Sequence, residues 1–389
     1  MQTLASPSPP RTQPRFIELD SVRGLAALSV VLHHLTLLWL GAMQPSASIW
    51  GTILSPLVAA GYEAVLLFFI LSGFVLALPA TNGKPQPYAT FVTRRVFRIY
   101  VPYLAALLVA VAGAHWLHGL VTPSDWFHRT WSNPVSLNLV LKHVLFLGTY
   151  DTFQFNPPIW SLIYEMRISF YFPIVCAVVL RLKKFPLLLL TIALMFAPSL
   201  LLRLTPVFAE WQIGETLHYT AFFILGIYLA KERQHVAVWL RGLRRRSRAM
   251  LLLASLSLYI FGLPLLRELP FLHFSARYEY FDQSLTALGA CGLIVLSMNS
   301  ATCKRILHWP PIHRLGQMSY SLYLTHFIVM LYCVHLLYGR IPLPAIMLLT
   351  LVMSLMVSWM SYRFIEVPSM NLGRRLSNEA LRRKAPMGV

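Results

Sequence analysis

Apolar stretches of roughly twenty residues, separated by short polar and basic clusters, dominate the chain. Ten of them, at about 19–42, 53–79, 99–119, 158–181, 185–204, 214–230, 249–266, 281–299, 318–339 and 342–365, have the length and character of membrane-crossing helices. A hydrocarbon core roughly 30 Å thick takes about 20 residues of helix. The pattern therefore predicts an all-α, polytopic transmembrane helix bundle of about ten spans. No repeat at a fixed period is visible in the sequence. The first stretch does not read as a cleaved signal peptide. It is too long, lacks a small-residue cleavage site and follows a Pro/Ser/Thr/Gln-rich segment, MQTLASPSPPRTQP. Residues 1–15 are expected to form a disordered cytoplasmic tail, 16–368 the transmembrane domain and 369–389 a basic cytoplasmic tail.

Charge sharpens this picture. The 33 Lys and Arg against 14 Asp and Glu give a net charge of +19, which in a soluble protein suggests nucleic acid. Here the basic residues gather in alternate loops. With the N-terminus in the cytoplasm, 25 fall on the inner side, six on the outer side, and Arg23 and Arg167 within spans. That asymmetry is the signature of membrane topology and predicts that both termini are cytoplasmic. A charged fraction of 12% with 57% hydrophobic residues excludes an ordinary soluble fold, which carries about 25% charged residues. It also excludes a disordered chain. The four cysteines, Cys176, Cys291, Cys303 and Cys333, show no paired spacing and read as small hydrophobes in helix packing.

One outer stretch, 120–157, is too long for a simple connection. It holds Trp126, Trp131 and an amphipathic piece from Val135 to Leu147. It reads equally as a segment lying in the interface with its tryptophans at headgroup depth, or as a lid or acceptor-binding wall.

Polar residues inside spans are expensive and mark function. The first span carries Asp20, Arg23, His33 and His34. Asp20 and Arg23, three apart, can pair at the inner end. Arg23 and His34 are eleven apart, about three turns plus 20°, so they share a face with roughly 16 Å between them along the axis. His33 points about 100° away from that face. Ser72 and Gly73 in the second span offer a hydroxyl and a close backbone approach. Arg94, Arg95 and Arg98 stand before the third span, either as topology signals and lipid-headgroup contacts or as a phosphate clamp. Glu165 lies a turn or two into the fourth span, where a buried carboxylate can orient an imidazole or pair with an arginine. His326 lies about two turns into the ninth span, and Glu366 closes the tenth beside Arg363, a spacing that reads as a salt bridge.

Six segments in order, LDSVRGLAALSVVLHH, FFILSGF, RRVFRIYVPY, WSLIYE, SYSLYLTH and YRFIEVP, resemble the acyltransferase-3 family of integral-membrane O-acyltransferases, over about Phe16 to Pro368. The resemblance implies ten or so helices and transfer of an acyl group from cytoplasmic acyl-CoA, acetyl-CoA in the first instance, to a hydroxyl of a carbohydrate or a glycolipid. It implies catalytic roles for Arg23, His34 and Glu165, acyl-CoA binding by Arg95 and Arg98, and substrate-binding or supporting roles for Asp20, Ser72, His326 and Glu366. His34 is expected to act as general base or acyl carrier, with Arg23 guiding the pantetheine or stabilising the oxyanion. No metal and no resident cofactor is expected. The implied setting is a bacterial cytoplasmic membrane, with lipids as the remaining partners and no nucleic acid. The chain departs from the family at Leu66, where many relatives carry an acidic residue; Glu63 lies nearly a turn earlier. Relatives fused to an SGNH-type esterase have a long C-terminal extension, so any such domain is expected here on another protein. The rival class is a glycan or lipid transporter or flippase. Inverted repeats and paired broken helices would favour it, and the sequence displays neither. A scaffold without chemistry leaves the Arg23 and His34 face unexplained.

Overall fold

The computed structural model describes residues 16–43, 60–120, 122–146, 151–198, 212–267 and 278–384. Every regular element among them is helical. In chain order the helices are α1 (Ile17–Met43), α2 (Gly61–Thr81), α3 (Tyr88–Leu117), α4 (Asp125–His128), α5 (Leu137–Leu145), α6 (Trp160–Arg181), α7 (Lys184–Met195), α8 (Ile213–Gly242), α9 (Arg245–Arg267), α10 (Tyr278–Asn299), α11 (Ala301–Leu307), α12 (Pro310–Gln317), α13 (Ser319–Leu337), α14 (Leu343–Ser361) and α15 (Val367–Lys384). A π-helical turn, Tyr362–Glu366, joins the last two.

Seven described helices are long and apolar enough to cross a membrane: Ile17–Ala42, Gly61–Thr81, Tyr88–Leu117, Pro157–Arg181, Ile213–Gly242, Ser319–Leu337 and Leu343–Arg382. The chain is an integral membrane protein. An eighth crossing arises if Gln283–Asn299 and Ala301–Leu307, bent by 88°, act as one broken span. Three of the ten expected spans account for the difference. The stretch 185–204 is described only as the twelve-residue α7, its end lying outside the described residues along with 53–59 and the tail 1–15. The stretch 249–266 becomes α9, which bends at Phe261. The third is the bent pair.

Two boundaries move for physical reasons. The third span was expected at 99, but α3 starts at Tyr88, because the arginines that looked like a loop cluster find partners inside the bundle. At the other end, 369–384 of the basic C-terminal segment is helical. In α15, Ser369 bonds the Phe97 carbonyl, and Ser377 and Asn378 accept from Arg94 at 3.1 and 2.9 Å.

Close backbone contact sets the core. A Cβ on Gly73 of α2 would strike the Phe223 backbone of α8, and one on Gly226 would strike Ile70 and Phe74. Small residues thus let two apolar helices touch, as bilayer packing requires. α2 and α6 start at the level of the two first-helix histidines, with Gly61 against the His33 ring. α1 continues nine residues past His34 to Met43, about 14 Å at 1.5 Å per residue.

The described parts of the long connecting segment, 122–146 and 151–158, pack against these projecting ends. Trp131 is fully buried, so its indole packs inside the protein and not against lipid. Its backbone is left-handed, with φ of 59°, a strained state for a bulky residue. Its indole donates to the Phe155 carbonyl at 3.2 Å, meets Tyr332 edge-on and fills the notch left by Gly113. Phe127 stacks on Phe327, whose ring touches His34. α5 exposes Leu137, Leu141 and Leu145 on one face and buries His143 on the other. Burial lowers the His143 pKa to about 4. The Trp126 side chain lies outside the described residues.

Candidate active site

Four helices bring the inner part of the site together. α1 supplies Asp20 and Arg23, α3 supplies Arg94, Arg95 and Arg98, α6 ends in Arg181, and α15 supplies Arg374. These side chains line a chamber of about 740 Å³ whose remaining wall is largely apolar, including Val75, Leu76, Phe91 and Phe172. Six guanidiniums against one carboxylate, Asp20, make it strongly electropositive. Arg94 is engaged by α15. Arg23 and Arg98 make no hydrogen bond or ion pair among the described residues, and both feel the charges of their neighbours.

Arg23, Arg95 and Arg98 also line a smaller cavity of about 60 Å³ behind the chamber, with Ser72, Glu165, Ser161, Tyr320, Tyr323, Val65, Phe68, Phe69 and Leu162. Its polar end is a buried knot. Glu165 Oε1 accepts from Arg95 Nη2 at 2.7 Å and from Ser72 Oγ at 2.9 Å. Arg95 Nε donates to Ser169 Oγ at 3.1 Å, and Ser169 donates to the Glu165 carbonyl at 2.6 Å. The carboxylate therefore meets an arginine and a hydroxyl, and its hydrogen bonds do not go to an imidazole. Arg167, two residues on, instead lies over the Tyr164 ring, on a different face.

Tyr323 links this level to the histidines. Its hydroxyl donates to the Pro158 carbonyl at 2.7 Å, so Ser161, also at 2.7 Å, donates to it. Its ring centroid lies 6.2 Å from that of His326. His326 Nε2 stands 3.2 Å from His34 Nδ1. Carbonyls fix the tautomers, since a carbonyl oxygen only accepts. His326 Nδ1–H donates to Leu322 at 3.0 Å, which leaves Nε2 as its lone-pair atom. His34 Nδ1–H is then shared between the Val30 carbonyl at 2.9 Å and His326 Nε2. In the neutral ring, His34 Nε2 carries the basic lone pair. His33 turns aside, against Gly61.

Glu366 is buried and accepts from Ser321 Oγ at 2.7 Å, while Arg363 is exposed. The anticipated Arg363 salt bridge is thus replaced by a hydroxyl contact, and the cations acting on Glu366 are Arg98 and Arg23. The π turn at Tyr362–Glu366 accompanies this inward position. Leu66 is fully buried, and Glu63 sits in the first turn of α2, where its charge acts on Tyr259.

Sequence reading missed Tyr320 and Tyr323. Their signal was present: Tyr320, Tyr323 and His326 recur every three residues, which aligns them along one stripe of α13. It also missed Ser169, one turn after Glu165, and Arg374 in the supposed tail.

The acyltransferase domain model of the acyltransferase-3 family matches residues 16–363. The chain belongs to that family. It is an acyltransferase, acting on groups other than aminoacyl groups. Among similar proteins, "Protein 2 in picA locus" of Rhizobium radiobacter is 35% identical over 178 residues, covering 42% of this chain and 82% of the relative. "Acyltransferase MdmB" of Streptomyces mycarofaciens is 27% identical over 396 residues, covering 93% and 94%. "Peptidoglycan O-acetyltransferase OatA" of Listeria monocytogenes is 22% identical over 377 residues, 90% of this chain and 55% of that protein. No solved structure matches significantly.

Proposed function

We propose that the enzyme moves a short acyl group, acetyl above all, from cytoplasmic acyl-CoA to a hydroxyl of a carbohydrate, glycan or lipid-linked acceptor. The observation that carries this reading is one face of α1 that bears Arg23 at an arginine-lined chamber and His34 against His326. The chamber suits the phosphates of CoA, since arginine binds phosphate through paired donors and keeps its charge. Arg23 and Arg98, like Arg181 and Arg374, make no side-chain hydrogen bond among the described residues, so their donors are open to an anion. Arg95 is held by Glu165 and fixes the inner wall.

A thioester is already activated, so the chemistry consists of presenting a hydroxyl and removing its proton. His34 Nε2 takes that proton as the oxygen attacks the acyl carbon. The C–O bond forms, the C–S bond breaks, and the proton passes to the departing thiolate, giving free CoA thiol. His326 holds the His34 ring in the tautomer this requires, and Arg23, roughly 16 Å away along α1, guides the pantetheine arm of the donor from the chamber. The relatives named as acyltransferase and O-acetyltransferase support the reaction type. The same reading places about ten helices in a bacterial cytoplasmic membrane with both termini inside, which the basic-residue asymmetry supports.

The test is expression of the protein, and of His34→Ala, in a host lacking it, with mass spectrometry of surface glycans and lipids. An acyl mass increment that depends on His34 supports the reading. An increment that persists in a well-expressed His34→Ala strain overturns it.

A further inference from the structure

The two cavities differ in size by an order of magnitude, and the difference has a single adjustable wall. The chamber offers about 740 Å³, whereas the inner cavity holds about 60 Å³. That is roughly two water volumes, room for a group of two or three carbons.

Most of the inner wall cannot yield. Phe69 is 2% exposed and wedged between Tyr219 and Phe223 at 4.9 and 5.8 Å. Leu162 and Val65 are buried in the core. Tyr323 is pinned at its hydroxyl by Pro158 and Ser161. The polar end is closed by the Arg95, Glu165 and Ser72 knot. Phe68 differs. It is half-buried, and its one ring contact among the described residues is an edge-on approach to Tyr323 at 5.6 Å. It therefore stands beside the ring that leads on to His326, and it is the largest apolar lining group held by a single ring contact among the described residues.

We infer that Phe68 sets the length of acyl group the enzyme accepts, admitting acetyl and propionyl and rejecting longer chains. The inference rests on the acyl-CoA reading above. A donor enters thiol-end first past Arg23 and Arg98, and its acyl group meets Phe68 where the cavity ends. A longer chain meets the Phe68 ring on one side and the buried Arg95, Glu165 and Ser72 knot on the other. A surplus methylene without room costs about tenfold or more, so a six-carbon acyl group is excluded strongly.

The experiment is displacement of radiolabelled acetyl-CoA from the purified, detergent-solubilised protein by unlabelled acetyl-, propionyl- and hexanoyl-CoA. In the parent protein, hexanoyl-CoA competes at least about tenfold more weakly than acetyl-CoA. Phe68→Ala brings the two within about threefold, and Phe68→Leu, a gentler change that keeps the core filled, falls between. Hexanoyl-CoA competing as well as acetyl-CoA in the parent overturns the inference while leaving the donor assignment intact. So does a monodisperse Phe68→Leu or Phe68→Ala protein with undiminished discrimination. A folded parent that binds no acetyl-CoA overturns the donor assignment, and the inference falls with it.

Discussion

Deleting one partner of the Arg95 and Glu165 pair should destabilise the protein far more than deleting both. The two side chains are 9% and 16% exposed and meet at 2.7 Å. Breaking a buried pair by removing one ion leaves the other without a counter-charge and typically costs about 3–5 kcal/mol. Glu165→Leu sits at the lower end, about 3 kcal/mol, because Arg95 keeps its bond to Ser169 and Glu165 retains some exposure before the change. Arg95→Met sits higher, since Glu165 is left with Ser72 alone among its present hydrogen-bond partners. In the double variant both desolvation penalties vanish together, so the net loss should stay under about 2 kcal/mol. With single losses of about 3 kcal/mol or more each and a double loss under about 2, the coupling between the sites is at least about 4 kcal/mol, well above the few tenths at which independent sites add. Equilibrium unfolding in mixed micelles, titrated with SDS and followed by tryptophan fluorescence, measures all three. Single losses that simply add in the double variant would refute the claim that this pair is a coupled, desolvated unit.

Further expectations concern the site and the topology. His34→Ala should lower acyl transfer in the expressing host by about 10²–10⁴-fold, while His33→Ala, packed against Gly61, keeps most of it, as read by the acyl mass increment. Arg98→Ala should weaken acetyl-CoA binding about tenfold or more, the loss of a charge-assisted contact, with little change in thermal stability in detergent because Arg98 makes no hydrogen bond among the described residues. A C-terminal reporter active only in the cytoplasm should be active; silence with full-length expression refutes the assignment of that end. His143 is held neutral in the folded state with its pKa near 4, against about 6.5 when unfolded. Its contribution is therefore intact above pH 6.5 and lost as pH falls from there toward 4. The protection of amides 137–146, after correction for the intrinsic exchange rate at each pH, should fall over that interval, and His143→Phe should flatten the response.

Periodicity made faces legible and left neighbours hidden. The eleven-residue spacing put Arg23 and His34 on one side of α1, and the Ser72-Gly73 pair announced both a hydroxyl and a tight helix contact. Which partners wait opposite is a long-range matter. Glu165 meets Arg95 across 70 positions and His326 meets His34 across 292, and no local pattern encodes either. Spans blurred for a related cause. α2 is apolar on nearly every side because its partners are themselves apolar, so hydropathy cannot say where α7 stops or α10 bends. The arginines before the third span misled in the opposite sense. Their charge read as a topology signal or a phosphate clamp, yet α15 and α6 hold Arg94 and Arg95 within the fold.

The unbroken run of α1 from Ile17 to Met43 acts as a ruler between the Arg23 guanidinium and the His34 ring. Its graduations are set by backbone hydrogen bonds, so neither mark can drift relative to the other without breaking the helix. Substitutions along it are graded injuries, but a change of length is not. One residue inserted between Arg23 and His34 would swing the imidazole by about 100° and lift it about 1.5 Å, away from His326. This stretch should therefore tolerate a varied alphabet while refusing every insertion and deletion.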